Sequence, residues 1–348
     1  MVAMSGGVDS SVAAFLLKEA GYAVTGVTMC LGVGSGGESR CCGIDAVADA
    51  KRVCDRLQFP HFAFDFSRAL EEKIVAKFVA EYSRGRTPNP CIDCNRYLKF
   101  GSLLEKALAL GFDYLATGHY AAIDRQAGGY FLKRPRDKEK DQTYFLYTTP
   151  YEALGRILFP LASLTKAEVR AIARKTGMPV AEKAESQDLC FVGRRDFQEF
   201  AARRMAGQQP GAIVDREGRR LGTHRGIVFH TIGQRKGLGI AHPVPLYVLA
   251  IDAAENRLVV GEKAALKAQG LVAGDLNVLS TEWPAMPEAK IRYRRPAAKC
   301  RVAWEEGKLR VFFQEGEEAI APGQAVVFYQ GDCVLGGGVI EEVLHAAC

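Results

Sequence analysis

Through about residue 117 the chain alternates short β-like runs with helical patterns, and this alternation constrains its fold more than any other feature. Val2 to Met4 is a short apolar run, residues 10 to 20 form a helical pattern stopped by Gly21, and Tyr22 to Met29 is a second strand rich in Val and Thr. Asp45 is placed to cap a helix whose Val47, Ala50, Val53, Cys54 and Leu57 share one face. His61 to Phe66 then alternates, with Phe62, Phe64 and Phe66 on one side. Leu70, Ile74, Phe78 and Tyr82 recur every four residues, another helix begins near Ser102, and Tyr114 to Thr117 is strand-like. Such a series predicts an α/β fold with a doubly wound, mostly parallel sheet, whose ligands bind beyond the carboxyl ends of the strands.

Ser5-Gly6-Gly7-Val8-Asp9-Ser10-Ser11 lies between the first strand and the first helix. Backbone N–H groups and the positive end of the helix dipole therefore point at this turn, which makes it a phosphate cradle. Gly6 and Gly7 permit positive φ and close approach, the serines add donors, and Asp9 can hold a divalent cation or position the loop. The turn has no Lys, and no G-x-x-x-x-G-K-[ST] occurs in the chain, so the phosphate-loop ATPase reading fails. Only Met1 to Met4 precede Ser5, which leaves an unusually short first strand. A rival G-x-G-x-x-G pattern at Gly32-Val33-Gly34-Ser35-Gly36-Gly37 follows a strand, but no helix opens on it and it reads as a loop.

Later segments have another texture. Thr165-Lys166-Ala167-Glu168 is a capping box with Leu164 placed for a staple, and Gly177 then Pro179 end that helix. From Gly211 on, Gly-rich turns separate short runs such as Ala212-Ile213-Val214, Leu246 to Leu249, Arg257 to Val260, Lys308 to Phe313 and Ala325 to Tyr329. This spacing predicts small β-rich modules, the last a barrel. The expected division is 1–197, 198–268 and 269–348.

At 348 residues, 48% hydrophobic and 25% charged, the chain is long enough for two or three globular domains. No basic segment followed by a long apolar run opens it, so neither signal peptide nor membrane anchor is expected and a cytoplasmic location follows. Net charge is +6, and its distribution is uneven: residues 194–236 hold ten Arg/Lys against four acids, and 290–301 hold six and none. Such stretches suit a polyanionic partner or a solvated basic surface.

Ten cysteines are too dilute for a disulfide scaffold in a chain of this size. Pro88-Asn89-Pro90-Cys91-Ile92-Asp93-Cys94-Asn95 places two thiols three residues apart after a rigid Pro-x-Pro lead-in, with Arg96 and Lys99 positioned to favour thiolate. Cys190 stands alone after Glu185 to Leu189. Buried thiols, a metal site and nucleophilic sulfur chemistry all fit this spacing. Cys54, Cys30, Cys300 and Cys333 lie in apolar or strand-like settings and read as buried, and Cys41-Cys42 is unassigned.

The Ser5 turn resembles the signature of the PP-loop ATP pyrophosphatases, which split ATP to AMP and pyrophosphate. Gly85 to Pro90, Cys94-Asn95, Ala116-Thr117-Gly118-His119-Tyr120, Lys140 to Leu146, Asp188 to Phe191, His230 to Gly239, Arg292-Tyr293-Arg294 and Pro322-Gly323-Gln324 then follow in the order seen in tRNA-specific 2-thiouridylases, across nearly the whole chain. The resemblance implies an α/β domain, a small central domain and a C-terminal β-barrel. It implies ATP contacts at Ala3, Met4, Ser5, Gly6, Gly7, Val8, Asp9, Ser10, Met29 and Gly118. Cys94 would be the nucleophile and Cys190 the persulfide carrier, with Asp9 serving the ATP site. Asn89, Pro90 and Cys91 would surround the target base, and His119, Lys140, Asp141, Gln142, Arg292, Tyr293 and Gln324 would hold tRNA.

The implied reaction adenylylates the C2 oxygen of a wobble uridine in an anticodon loop and replaces it with sulfur, using ATP and Mg²⁺. A cysteine desulfurase or persulfide relay protein would donate the sulfur. Cys91 departs from the pattern, in which Asp holds the first position of the x-x-Cys element. Cys91, Cys94 and Cys190 could therefore ligate an iron-sulfur cluster with one open iron, while the alternative keeps Cys94 and Cys190 as a persulfide and disulfide pair. Two other readings remain, a PP-loop synthetase acting on a small molecule and a nucleic-acid-binding protein without catalysis.

Overall fold

The computed structural model describes residues 1–32, 44–126, 128–184, 189–192, 197–205 and 208–345. The rival glycine pattern beyond Gly32, the Cys41-Cys42 pair and the segment before Leu189 lie outside the described residues. Two compact units divide the chain, the first comprising 1–75, 90–194 and 332–334, the second 76–89, 195–331 and 335–348.

The first unit is built on a five-stranded sheet in the order β3-β2-β1-β4-β7. Its strands are β1 (Val2–Ala3), β2 (Gly26–Cys30), β3 (His61–Asp65), β4 (Leu115–Thr117) and β7 (Ile157–Leu158). Every neighbouring pair is parallel, as the strand–helix alternation requires. The two-residue β1 is the central strand, pairing Val2 with both Gly26 and Ala116. Helix α1 (Val8–Glu19) buries Val12, Ala13 and Leu17, and α2 (Ile44–Arg56) buries Ala50, Val53 and Cys54 in the same core. Val169 and Ala173 of the Lys166–Lys175 helix complete that core.

The Phe62 face differs from the alternating pattern. Phe62 is 53% exposed on β3, which is the edge strand of the sheet among the described residues. Phe64 on the same strand lies under the Lys106 ammonium at 4.1 Å. A hairpin of β5 (Ala122–Gln126) and β6 (Gly129–Lys133), absent from the sequence reading, also belongs to this unit.

The second unit is β-rich. A four-stranded sheet orders β10 (Tyr247–Asp252), β11 (Arg257–Gly261), β8 (Gly211–Val214) and β9 (Arg220–His224). The remaining strands are β12 (Lys267–Val278), β13 (Glu288–Lys290), β14 (Ala298–Glu305), β15 (Lys308–Glu318), β16 (Ala325–Gln330) and β17 (Cys333–Leu344). They run β12-β15-β14-β13-β16-β17, and β12 pairs with β17 to close a barrel. Its interior is apolar, with Leu271, Val311, Phe328 and Ile340 among the buried side chains. Phe78 stacks edge-on to Phe197 and Phe200 in the same unit, which accounts for the apolar stripe after Ile74.

Candidate functional site

Strand order reverses at β1, since the chain moves outward to β2 and β3 and then returns to place β4 on the other side. Ligands of doubly wound sheets bind at such a switch point. The Ser5–Ser11 turn leaves β1 there, and Gly118-His119 leaves β4 beside it. Gly6 has φ +66°, and a Cβ on it would strike the Ala46 carbonyl. Gly7 caps α1 with no side chain covering the first turn, so the amides there face the loop. Inside the loop, Ser10 Oγ accepts from the Ser5 amide at 3.2 Å, and Ser11 Oγ donates to the Gly7 carbonyl at 2.8 Å. Met29 and Cys30, at the carboxyl end of β2, are half-buried.

Gly118 is a steric requirement. A Cβ there would lie 2.6 Å from the Ser10 amide nitrogen and 2.7 Å from the Asp9 carbonyl carbon. The absence of a side chain lets β4 and the start of α1 close on each other.

Two lysines outside the loop take the places that its own sequence leaves empty. Lys166 Nζ donates to both carboxylate oxygens of Asp9 at 2.7 Å, and Tyr120 OH donates to Oδ1 at 3.0 Å. Lys183 Nζ donates to the Gly6 carbonyl at 2.9 Å and to Asp49 at 2.5 Å. Burial works against ionisation of Asp49, but Lys183 and Arg52 hold its carboxyl below the usual range. Gln142 fixes Tyr120 from both sides of the backbone, accepting from its N–H at 2.8 Å and donating its own N–H to its carbonyl at 3.0 Å.

Cys91 and Cys94 occupy one continuous helical segment, Pro90–Asp93 followed by a π-wound stretch Cys94–Leu103 and then Leu104–Ala109. The wide winding shows in side chains too, because Ser102 Oγ donates to the carbonyl of Tyr97, five residues earlier, at 3.1 Å. Cys91 is exposed and Cys94 half-buried. Burial pushes the Cys94 thiol above its ordinary value, Lys99 pulls it down and Asp93 pushes it up. The expected thiolate-favouring surroundings are thus outweighed by desolvation. Lys99 donates to Asn95 Oδ1 at 2.9 Å, and Asn95 Nδ2 donates to the Phe145 carbonyl at 2.8 Å.

His119 is packed among Phe100 and Phe159. Its Nε2 faces the Lys99 ammonium at 3.4 Å and must accept, which leaves Nδ1 protonated and donating to Thr117 Oγ1 at 2.7 Å. Burial, reinforced by Lys99, holds this imidazole well below its usual pKa. It is a neutral acceptor, with no positive charge to offer a phosphate.

Several other side chains named from the sequence are engaged inside the protein. Asp141 accepts from the amide and hydroxyl of Thr143 at 2.9 and 2.6 Å. In the second unit, Arg292 donates to the carbonyls of Ile232 and Ala319 at 3.0 and 2.8 Å, and Gln324 donates to that of Thr87 at 2.7 Å. The Lys290 ammonium lies 5.5 Å from the Tyr293 ring. Lys140 is half-buried, as is Cys190. Among the described residues, which include Cys91, Cys94 and Cys190, no three His, Cys, Asp or Glu side chains gather to hold a metal ion. No helix among them is long and apolar enough to cross a membrane.

Sequence reasoning missed Lys166, Lys183 and Tyr120. Tyr120 stands in the Thr-Gly-His-Tyr motif and Lys166 inside the capping box, but neither pattern signals a partner more than a hundred residues away.

The chain matches the family model of the tRNA methyl transferase HUP domain over residues 1–194, of the tRNA methyl transferase PRC-barrel domain over 198–262 and of the Aminomethyltransferase beta-barrel domain over 268–340. It is 58% identical to tRNA-specific 2-thiouridylase MnmA 1 of Syntrophus aciditrophicus (strain SB), with 100% of this chain and 94% of the relative covered. It is 51% identical to tRNA-specific 2-thiouridylase MnmA of Moorella thermoacetica, covering 99% of each. Identity to the enzyme of the same name from Carboxydothermus hydrogenoformans is 49%, covering 99% and 98%. With likeness of this degree running from end to end, the chain belongs to the family of tRNA-specific 2-thiouridylases.

Proposed function

We propose that this protein is an ATP-dependent tRNA-uridine 2-sulfurtransferase that thiolates the wobble uridine. The observation that carries the reading is a bridge made by one turn: Gly118 packs on the Asp9–Ser10 backbone of the phosphate loop, while His119 meets Lys99 on the helix that bears Cys94. An adenylylated base and a thiol could therefore be served from a single turn.

The ATP loop, Ala3 to Ser10 with Met29 and Gly118, binds the nucleotide. The C2 oxygen of uracil is a poor leaving group, and its transfer to the α-phosphate releases pyrophosphate and lets it depart later as AMP. Cys190 carries a sulfane sulfur received from a cysteine desulfurase or a persulfide relay protein. That terminal sulfur bonds to C2, AMP leaves, and Cys94 takes the inner sulfur to form a Cys94–Cys190 disulfide, which an external thiol then reduces. Because burial favours the thiol form of Cys94, proton removal accompanies that last attack.

Magnesium fits this site through one carboxylate and the phosphates of ATP rather than through a protein cage. Asp9 would be that carboxylate, and a bound cation would neutralise charge on the pyrophosphate leaving group. Among the described residues no three side chains gather to hold a metal ion, and the relay proposed on Cys94 and Cys190 needs no iron-sulfur cluster.

Asn89, Pro90 and Cys91 surround the base, with Lys140 and Tyr293 contacting RNA. Asp141, Gln142, Arg292 and Gln324 serve by fixing the segments they bond. Modules at 198–268 and 269–348, with their basic stretches, hold the tRNA in the cytoplasm.

Incubation of tRNA with the protein, ATP, Mg²⁺ and a persulfide donor, followed by mass spectrometry of nucleosides, should yield 2-thiouridine. Cys94→Ser and Cys190→Ser should abolish it and Cys91→Ser should retain it in iron-free protein. No 2-thiouridine from wild-type protein would overturn the reading, and loss in Cys91→Ser with iron bound would replace the relay by a cluster.

A further inference from the structure

A phosphate loop without a lysine relies on backbone amides and hydroxyls, which carry only partial charges, against a ligand with several full negative charges. The full positive charge nearest Asp9 comes from elsewhere in the first unit. Lys166 is the first residue of its helix, and its backbone is fixed three ways. Its N–H donates to Asp137 Oδ2 at 2.8 Å, Thr165 and Glu168 form a reciprocal capping box around it, and Val169 and Ala173 anchor the helix in the core shared with α1. Only the four-carbon stem is left to move. The ammonium at its tip lies 2.7 Å from each Asp9 oxygen and 5.9 Å from the Tyr120 ring, with the side chain 13% exposed.

We propose that Lys166 is the phosphate-binding cation of the ATP site, held ready by Asp9 and transferred to the β- and γ-phosphates when nucleotide enters. The inference rests on the ATP-dependent reading above. Exchange of one anionic partner for another leaves the ammonium paired throughout, so the transfer avoids stranding a charge in a partly buried place. Asp9 is released by the same movement, with Tyr120 still donating to it. Arrival of the triphosphate thus frees the carboxylate that the family reading assigns to the ATP site. The loop needs no lysine of its own because the capped helix delivers one.

The test is equilibrium binding by calorimetry on the full chain, with ATP, AMP and Mg²⁺-free inorganic pyrophosphate as probes. Lys166→Met should weaken ATP and pyrophosphate about 10- to 100-fold, the range of one charge-assisted contact, and leave AMP within about 2-fold. Equal weakening of all three would make Lys166 structural and overturn the proposal, as would unchanged ATP affinity. Removing one partner of an ion pair can impair folding, so a second comparison removes both. Measured against Asp9→Asn, which already lacks the carboxylate, Asp9→Asn with Lys166→Gln should bind pyrophosphate about 10- to 100-fold more weakly. Equal affinities in those two variants would also overturn it. Wild-type protein that binds no ATP would bring down the ATP-dependent reading itself, an outcome distinct from failure of the lysine alone.

Discussion

The Lys99 ammonium donates to the side-chain carbonyl of Asn95 at 2.9 Å, which pins a positive charge one helical turn from the neighbouring Cys94. Lys99 is the group that opposes the burial of that thiol. Lys99→Met should therefore raise the Cys94 pKa further and slow its alkylation by iodoacetamide at pH 8 by several-fold, read by mass spectrometry of the Cys94 peptide. Lys99→Arg should restore most of the rate. An unchanged rate in Lys99→Met would show that the lysine does not act on the thiol.

In the wild type the same thiol should alkylate slowly at neutral pH and accelerate with a midpoint above the ordinary cysteine value, because its folded pKa is raised. A midpoint near or below neutrality would contradict the dominance of burial.

Gly6→Ala should destabilise the first unit by about 1–3 kcal/mol, from an L side chain held in the left-handed region, and more from the collision with the Ala46 carbonyl. Gly118→Ala should push β4 away from α1 and weaken ATP binding more than stability. Thermal melting and nucleotide titration of each variant separate the two effects.

His230 is 6% exposed, and burial, with His224 and Arg225, lowers its pKa to about 4. The folded value lies below the unfolded one, so the unfolded chain takes up the proton first and stability falls as pH drops from about 6.5 to about 4. His61, His119 and His224 are shifted in the same direction. Denaturant unfolding across this window should show the loss, and His230→Gln should make it shallower. A pH-independent unfolding free energy over that window would refute the assignment.

Arg292 reaches two carbonyls with one nitrogen, Nη2, and its Nε is buried. Arg292→Lys should not replace it, since an ammonium lacks that fixed geometry. Faster hydrogen exchange is expected around Ile232 to Gln234 and near Ala319 in the variant, with the first unit unaffected.

The fold class was legible because strand and helix periods differ, and the alternation carried through β1 to β4 in order. The phosphate loop was legible because its chemistry is local. Lys166 was not, since Asp9 lies 157 positions away and a capping box explains the surrounding residues without reference to any ligand. Pro90 was read as a stiff lead-in, yet proline at the first helical position is also a helix start, and it is the helix that carries Cys91 and Cys94. Phe62 misled because alternation reports which side chains share a face, not whether anything covers that face. The basic stretches pointed to a polyanion, but could not reveal that the guanidinium of Arg292 is spent on backbone carbonyls.

The π-wound stretch from Cys94 to Leu103 has a further consequence for how this site tolerates length changes. A segment wound more loosely than α accommodates residues that α-helical winding would not, and it begins at Cys94. Loss of a single residue there would let the segment tighten, with each residue in an α-helix turning the chain by ~100°. Cys94 would rotate relative to Lys99 while the ATP loop and the sheet stayed as they are. Insertions and deletions in this one stretch should thus be far more damaging than substitutions, so the spacing between Cys94 and Leu103 is itself a functional character of the chain.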